Sequence, residues 1–79
     1  MKDLKKITWW DHRSDSSWLD TEQIKEFAKD SSRSVCSSVG MITYEDANVI
    51  VVSSSEDGEG GYGENICLLK SAVIEIEEL

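Results

Sequence analysis

Apolar and polar residues alternate along most of this chain with a strand-like period, and one segment has a helical period instead. A two-residue period, or a short continuous apolar run, is typical of a β-strand, whereas a 3.6-residue period is typical of a helix. The helical period follows the first strand-like segment. The predicted elements, in chain order, are strand 4–10, helix 21–29, strand 35–44, strand 48–53, strand 66–70 and strand 72–77.

The start of the helix has the clearest boundary signal. Asp20 is a favourable N-cap, and Gln23 follows three residues later, as in a capping box. Leu19 and Ile24 have the spacing of a hydrophobic staple. We expect the apolar stripe of the helix to face the core. That stripe consists of Ile24, Phe27 and Ala28.

Two features of the predicted strands bear on the fold. Gly40 interrupts an apolar strand, which indicates a bulge, a bend or the close approach of another backbone. Segment 48–53 follows a hairpin turn at 45–48 and is apolar on both faces, so we expect it to be a central strand. The pattern predicts an α+β fold that is mostly β. We expect a small, partly open antiparallel barrel of about five strands, SH3-like or Sm-like, with one helix after the first strand.

All three tryptophans lie between the start of the first strand and the helix. Strand parity groups Trp9 with Ile7, so we expect Trp9 in the core. Trp10 then points to the opposite face, where the helix, a second subunit or a flat ligand would cover it. We expect Trp18, just before the helix cap, to seal the helix onto the sheet. Arg13, between them, either meets a phosphate or pairs with an acidic neighbour.

A glycine-rich acidic segment, 54–64, joins two predicted strands. Its Gly58-x-Gly60-x-x-Gly63 string matches a dinucleotide-binding fingerprint, but that motif needs a helix N-terminus after it. Here a strand follows and the acidic side chains would repel phosphate, so we interpret the segment as a long, flexible hairpin loop. The carboxylates also lack the regular ligand spacing of a calcium loop.

The net charge of −8 resides in the second half of the chain. Residues 1–33 have seven acidic and seven basic side chains, whereas residues 34–79 have nine acidic side chains and one cation, Lys70. This balance argues against direct nucleic-acid binding, which requires basic patches. The acidic half either promotes solubility or forms a surface that docks on a basic partner or imitates nucleic acid.

The chain has two cysteines and one histidine. Cys36 and Cys67 lie in apolar strands with no secretory signal before them, so we expect two buried, reduced thiols and not a disulfide. Asp11 and Asp15 flank His12, but a triad is recognised by geometry, and we expect a solvated loop histidine. The cysteines and the histidine lack paired zinc-ligand spacing, so we expect no metal and no cofactor.

Length limits the core and the assembly. No stretch approaches the ~20 apolar residues of a membrane span, and no secretory signal is predicted. We expect residues 1–79 to form a single domain with a small core, and such domains usually need a metal, disulfides or self-association. Because the composition supports neither of the first two, we expect a homo-oligomer.

These motifs resemble a group of short, uncharacterised proteins encoded by tailed bacteriophages. Their pattern is an apolar-x-Trp-x-Asp start, a second Trp before a helix, a Ser-Val-Gly-apolar strand, an aliphatic run ending in Ser, and a closing strand ending near Leu. The matching positions here are Ile7, Trp9, Asp11, Trp18, 38–41, 49–53, Ile74, Ile76 and Leu79. This chain departs from the pattern in having Leu68-Leu69-Lys70 where such proteins often have Ile-Pro-Lys. The resemblance covers nearly the whole chain and implies phage origin and expression in the bacterial host cytoplasm. It implies no activity and no catalytic residue.

We consider three hypotheses for function and favour the first. The first is a non-enzymatic phage accessory protein that binds and modulates a host factor, as a host-takeover or anti-defence protein, with the acidic half as its docking surface. The second is an oligomeric protein that binds or sequesters a small molecule, either a nucleotide or a signalling molecule. The third is a hydrolase centred on His12. The candidate residues for binding a partner or ligand are Trp10, Arg13, Trp18, Glu56, Asp57, Glu59 and Tyr62.

Overall fold

A computed structural model describes residues 3–14, 16–29 and 34–79. It contains a five-stranded antiparallel sheet and a helix inserted after the first strand, in the predicted order. The elements are β1 (Leu4–Trp10), α1 (Thr21–Lys29), β2 (Val35–Glu45), β3 (Val49–Glu56), β4 (Tyr62–Leu69) and β5 (Val73–Glu78), with a 3₁₀ turn at Lys70–Ala72. The prediction of a mostly β chain with one helix after the first strand is confirmed for these residues.

The sheet curls strongly because a short link joins its two edges. The strand order is β4-β3-β2-β1-β5, so β4 and β5 are the edge strands, and the turn Lys70–Ala72 alone connects them. A flat five-stranded sheet would hold its edges roughly 19 Å apart. The connection from the end of β4 to the start of β5 spans at most about 14 Å. In the described residues the two edges do not pair with each other, so the sheet is not closed.

The core lies on the concave face of the curled sheet. Alternate residues of β1, β3 and β4 point to this face, because successive side chains of a strand alternate between faces. The buried cluster at its centre consists of Ile7, Ile50, Val52 and Leu68. Trp9 packs against this cluster, as predicted, and its indole N–H donates a hydrogen bond to Ser38 Oγ at 3.1 Å. The expected interior position of β3 is also confirmed, since it lies between β2 and β4.

Gly40 allows two strands to approach closely, one of the three outcomes that the sequence left open. A Cβ at this position would lie 2.6 Å from the carbonyl oxygen of Ser53 and 2.8 Å from Cγ1 of Val52. Both distances are shorter than real Cβ atoms tolerate, so β3 occupies the space that a side chain would need. Glycine is therefore required for the spacing of β2 and β3.

The helix has the predicted bounds and cap, but the prediction of its packing is wrong. Gln23 N–H donates to Asp20 Oδ1 at 2.9 Å, and Asp20 N–H donates to Gln23 Oε1 at 3.0 Å, which is the reciprocal capping box. However, no residue of α1 is buried. Ile24 is 53% exposed, Ala28 is exposed and Phe27 is half-buried, so the stripe does not enter the core.

Trp18 does not seal the helix onto the sheet, because its side chain is fully exposed. The physical reason is that the segment between β1 and β2 leaves the end of this strand pair and extends away from the sheet. The backbone N–H of Asp11 continues the pairing by donating to the Ser34 carbonyl at 2.6 Å. The molecule is correspondingly elongated, with extents of 53 × 22 × 22 Å.

The acidic loop between β3 and β4 is shorter than predicted. Both strands extend into the segment 54–64 through the pairs Ser55↔Gly63 and Glu56↔Tyr62, which leaves 57–61 as the turn. Serine, glycine and glutamate favour strands weakly, so pairing with the neighbouring strand overrides local preference here. The predicted end of the helix at 30–33, and Asp15, lie outside the described residues.

Candidate binding site

A cleft of about 240 Å³ lies where the ends of β1 and β4 face each other. It forms because β5 first pairs with β1 at Trp9, through Val73, so Trp10 lies beyond the paired part of that edge. The gap leaves apolar side chains of β4 facing the tryptophan pair. The residues that line the cleft are Trp9, Trp10, Asp11, His12, Ile66, Cys67, Leu68, Leu69 and Ala72.

Trp10 forms part of the exposed rim of this cleft. Its side chain is 45% exposed, and it lines the cleft together with Trp9. The helix does not cover it, because α1 extends beyond the end of the sheet. A half-exposed indole beside an apolar cleft has the chemistry of a binding anchor, since large rings contribute strongly to recognition when a partner buries them.

Asp11 and His12 shape the chain where it leaves β1. The backbone N–H of His12 donates to Asp11 Oδ1 at 2.8 Å, while the Asp11 N–H is bonded to Ser34. Both side chains are exposed, which agrees with the expected solvated histidine. Asp11 therefore adds a negative charge to the mouth of the cleft.

Arg13 binds the helical segment, and its predicted acidic partner Asp15 lies outside the described residues. Its Nε donates to Ser34 Oγ at 2.6 Å, and its Nη2 donates to the carbonyl oxygen of Phe27 at 2.6 Å. Its guanidinium also lies 4.6 Å from the centre of the Phe27 ring, within cation–π range. A cation near the last turn of a helix is electrostatically favourable. These contacts fix α1 to the start of β2.

Four of the predicted residues meet at the turn between β3 and β4. We call this region the acidic turn; it consists of Glu56, Asp57, Glu59 and Tyr62. A second cleft, of about 320 Å³, lies against Glu56, Asp57 and Tyr62. Glu56 and Tyr62 are opposite each other in the sheet, so the tyrosine ring lies next to a carboxylate. The arrangement suits a cationic group with an apolar stem, such as a lysine or arginine side chain.

Asp57 folds the acidic turn. Its Oδ1 accepts the backbone N–H groups of Glu59 at 2.8 Å and Gly61 at 2.9 Å, and these bonds lower the pKa of its carboxyl. Gly58 and Gly60 have positive φ angles of 80° and 91°, which glycine adopts without strain. Because the last glycine of the string, Gly63, lies in β4, the string continues into a strand and not into the helix N-terminus of a dinucleotide site.

The predicted binding residues form separate groups. Trp10, the last residue of β1, faces the C-terminal end of β4, whereas Tyr62 is the first residue of β4. Along β4 the two clefts together extend from Tyr62 to Leu69, roughly 23 Å, and their nearest lining residues, Gly63 and Ile66, are roughly 10 Å apart. Trp18 lies in neither group, and Arg13 lines neither cleft. A single small ligand therefore does not contact all the predicted residues.

Sequence reasoning missed the β4 wall of the first cleft, formed by residues 66–69 and Ala72. The available signal was the very short polar link between the last two apolar runs, which forces their ends to lie close together. Cys67 is exposed on this wall and Cys36 is half-buried; both are free thiols. The prediction that both thiols are buried is therefore wrong, because Cys67 lies on an edge strand with its side chain turned away from the core.

Residues 3–14, 16–29 and 34–79 contain no group of three or more histidine, cysteine, aspartate or glutamate side chains placed to hold a metal ion. Among the helices of those residues, none has the length and apolar character needed to cross a membrane.

Comparison with known proteins identifies no relative of this chain. No family model matches the chain, and no curated protein and no solved structure shows significant similarity to it.

Proposed function

We propose that this chain is a non-enzymatic accessory protein, encoded by a phage, that binds and modulates a host factor in the bacterial cytoplasm. The observation that carries the proposal is the excess of acidic side chains in residues 34–79, of which, among the described residues, Glu45 and Glu78 form ion pairs, with Lys70 and with Lys5. Their one cation, Lys70, is held by Glu45 at 2.7 Å, against nine acidic side chains in the same segment. A surface of this kind attracts a basic partner and accelerates its association.

The two clefts supply what charge alone lacks, namely places where a partner can be anchored. Trp10 beside its apolar cleft suits an apolar side chain of the partner, and the acidic turn suits a basic one. Anchors of both kinds, which together span about 23 Å along β4 from Tyr62 to Leu69, match the size of a protein interface better than that of a small ligand. We therefore assign the host factor to the class of proteins with a basic surface patch.

The second hypothesis, a nucleotide or signalling-molecule binder, has less support. Arg13 is engaged with Ser34 and Phe27, and the first cleft contains the carboxylate of Asp11. An anionic ligand would lack a cationic partner there and would be repelled by Asp11.

We also propose that the curled sheet is a partly open barrel of the SH3-like or Sm-like kind. The supporting observation is that the turn Lys70–Ala72 brings the end of β4 to the start of β5. Contacts between backbone protons of β4 and β5 in NMR spectra would support this fold. Edges that remain separated along their whole length would contradict it.

Capture of proteins from a bacterial lysate tests the proposed function. The immobilised full chain should retain a basic protein at about 50 mM salt and lose most of it at about 500 mM, because screening weakens contacts between exposed charges. The substitutions Glu56→Gln and Glu59→Gln together, or Trp10→Ser alone, should each reduce the retained amount severalfold.

A matched control is the pair Glu22→Gln and Glu26→Gln, which removes the same charge from the helix. This control should retain the protein as the unmodified chain does. If the retained amount changes neither with salt concentration nor with the substitutions at the acidic turn, the acidic residues do not form the docking surface.

A further inference from the structure

The helical segment exposes an apolar surface that the sheet does not use. We call residues 18–29 the helical arm. Ile24, Phe27 and Ala28 have the i, i+3, i+4 spacing of one helix face, and Trp18 lies just before the helix. Trp18 is fully exposed and Ile24 is 53% exposed. An amphipathic helix normally buries such a stripe, because packing provides most of its stability in a protein.

The accessible surface area of the chain is larger than that of a compact monomer of the same mass. The accessible surface is 5939 Å² for a mass of 8.9 kDa. A compact monomer of this mass exposes roughly 4,800 Å². The excess of about 1,100 Å² compares with the ~800 Å² that each partner buries in a standard interface. The radius of gyration, 16.0 Å, likewise exceeds the value of about 12 Å expected for a compact chain of this length.

The distribution of charge identifies the occupant of this surface. The helix has two acidic and two basic side chains, Glu22, Glu26, Lys25 and Lys29, and thus no net charge. Residues 34–79 have a net charge of −8. A basic host protein is attracted to the acidic half, whereas a second copy of this chain is repelled by it. With Asp20 the helical arm has a net charge of only −1, so it is where two copies meet with the least electrostatic opposition.

Arg13 holds the helical arm in a fixed position relative to the sheet. Its bonds to Ser34 and to the Phe27 carbonyl hold the last turn of α1 to the sheet before any association. Association then requires little additional ordering, which lowers its entropic cost.

We propose that two copies of this chain associate through their helical arms, with the two α1 helices antiparallel. A two-fold axis between the helices places Ile24 of each copy near Phe27 of the other and lets each Trp18 cover the exposed stripe. The interface uses the same surface of both copies, which is the commonest symmetry of soluble oligomers. Antiparallel helices also place opposite ends of their dipoles side by side. This inference goes beyond the proposed function and does not depend on it.

Sedimentation equilibrium of the full chain, at about 5 to 200 µM, tests the proposal. We expect a reversible monomer–dimer equilibrium. Ile24→Gln and Trp18→Gln should each weaken the association by about tenfold or more, since each removes a large apolar contact. The matched control is Glu22→Gln, on the opposite side of the same helix, which should associate like the unmodified chain. Circular dichroism confirms folding, which these exposed positions do not threaten.

Three outcomes would overturn the proposal. The chain could remain monomeric at about 200 µM, which shows that the arm does not bind a second copy. Both apolar variants could dimerise as tightly as the unmodified chain, which places the interface elsewhere. A monomeric chain whose capture of a lysate protein is abolished by Ile24→Gln would assign the arm to a host protein instead.

Discussion

Single residues set the geometry of this sheet at places where no side chain fits. Gly40 and Gly63 are both strand glycines, but their surroundings differ. A Cβ at Gly40 would collide with backbone and side-chain atoms of β3, whereas one at Gly63 would lie 3.7 Å from the Ser55 Cβ, an ordinary contact. Because β3 supplies two core residues, Ile50 and Val52, its displacement would disturb the core.

Gly40→Ala should therefore destabilise the chain by about 1–3 kcal/mol, the usual cost of forcing extra volume into a packed site. Urea unfolding followed by tryptophan fluorescence measures the change. Gly63→Ala is the control, and it should leave stability unchanged or raise it slightly by restricting the unfolded chain. Equal stability of the two variants would contradict the close approach of β2 and β3 at Gly40.

At the scale of elements, two aspartates fold the two hairpin turns. Asp46 Oδ1 accepts the backbone N–H groups of Asn48 at 2.8 Å and Val49 at 2.9 Å, and Asp57 does the same for Glu59 and Gly61. These bonds lower the pKa of both carboxyl groups below the ordinary value of 3.8. The Tyr44 hydroxyl donates to Asp46 Oδ2 at 2.9 Å, and this bond raises the pKa of Tyr44 above 10.0.

Stability should consequently depend on pH at the acid end. A carboxyl whose pKa is lower in the folded state stabilises the fold fully above the unfolded value, near 3.8, and loses that contribution as pH falls through the folded value. The double variant Asp46→Asn, Asp57→Asn should be less stable than the unmodified chain near pH 6, and the difference should shrink below about pH 4. Urea midpoints measured across this range provide the test.

Glu26→Gln serves as the control for the acid limb, because it removes one exposed carboxyl and leaves both turns intact. It should reproduce the pH dependence of the unmodified chain. A double variant that keeps the full difference at low pH would show that the charged state of these turns does not contribute to stability.

The sequence predicted elements better than it predicted their packing. The capping box at Asp20 is a local signal, and the bounds of α1 were correct. The prediction that Trp18 seals the helix onto the sheet was wrong, since its side chain is exposed. Apolar spacing indicates that a surface needs a partner, but it does not show whether that partner belongs to the same chain. The first cleft was missed for a related reason: Trp10 and Leu69 are distant in sequence and become neighbours only because the sheet curls.

At the scale of the whole molecule, charge and shape divide the surface into two parts. The helix α1 has no net charge and an exposed apolar stripe, while residues 34–79 carry the full net charge of −8. The molecule is only 22 Å wide, comparable to the Debye length of roughly 20 Å at about 20 mM salt. At low salt, the acidic sheet of one copy therefore repels that of another even when the arms are in contact.

Salt should consequently change the two interactions in opposite directions. Raising the salt concentration from about 20 mM to about 500 mM screens the repulsion between two acidic copies, so the dimer should tighten severalfold. The same change should weaken capture of a basic host protein, because there the charges attract. Sedimentation equilibrium and capture, measured in the same buffers, give both trends. If both interactions weaken with added salt, the helical arm is not the dimer interface, since two copies would then be held together by opposite charges. If both tighten, the host factor is not bound through the acidic surface.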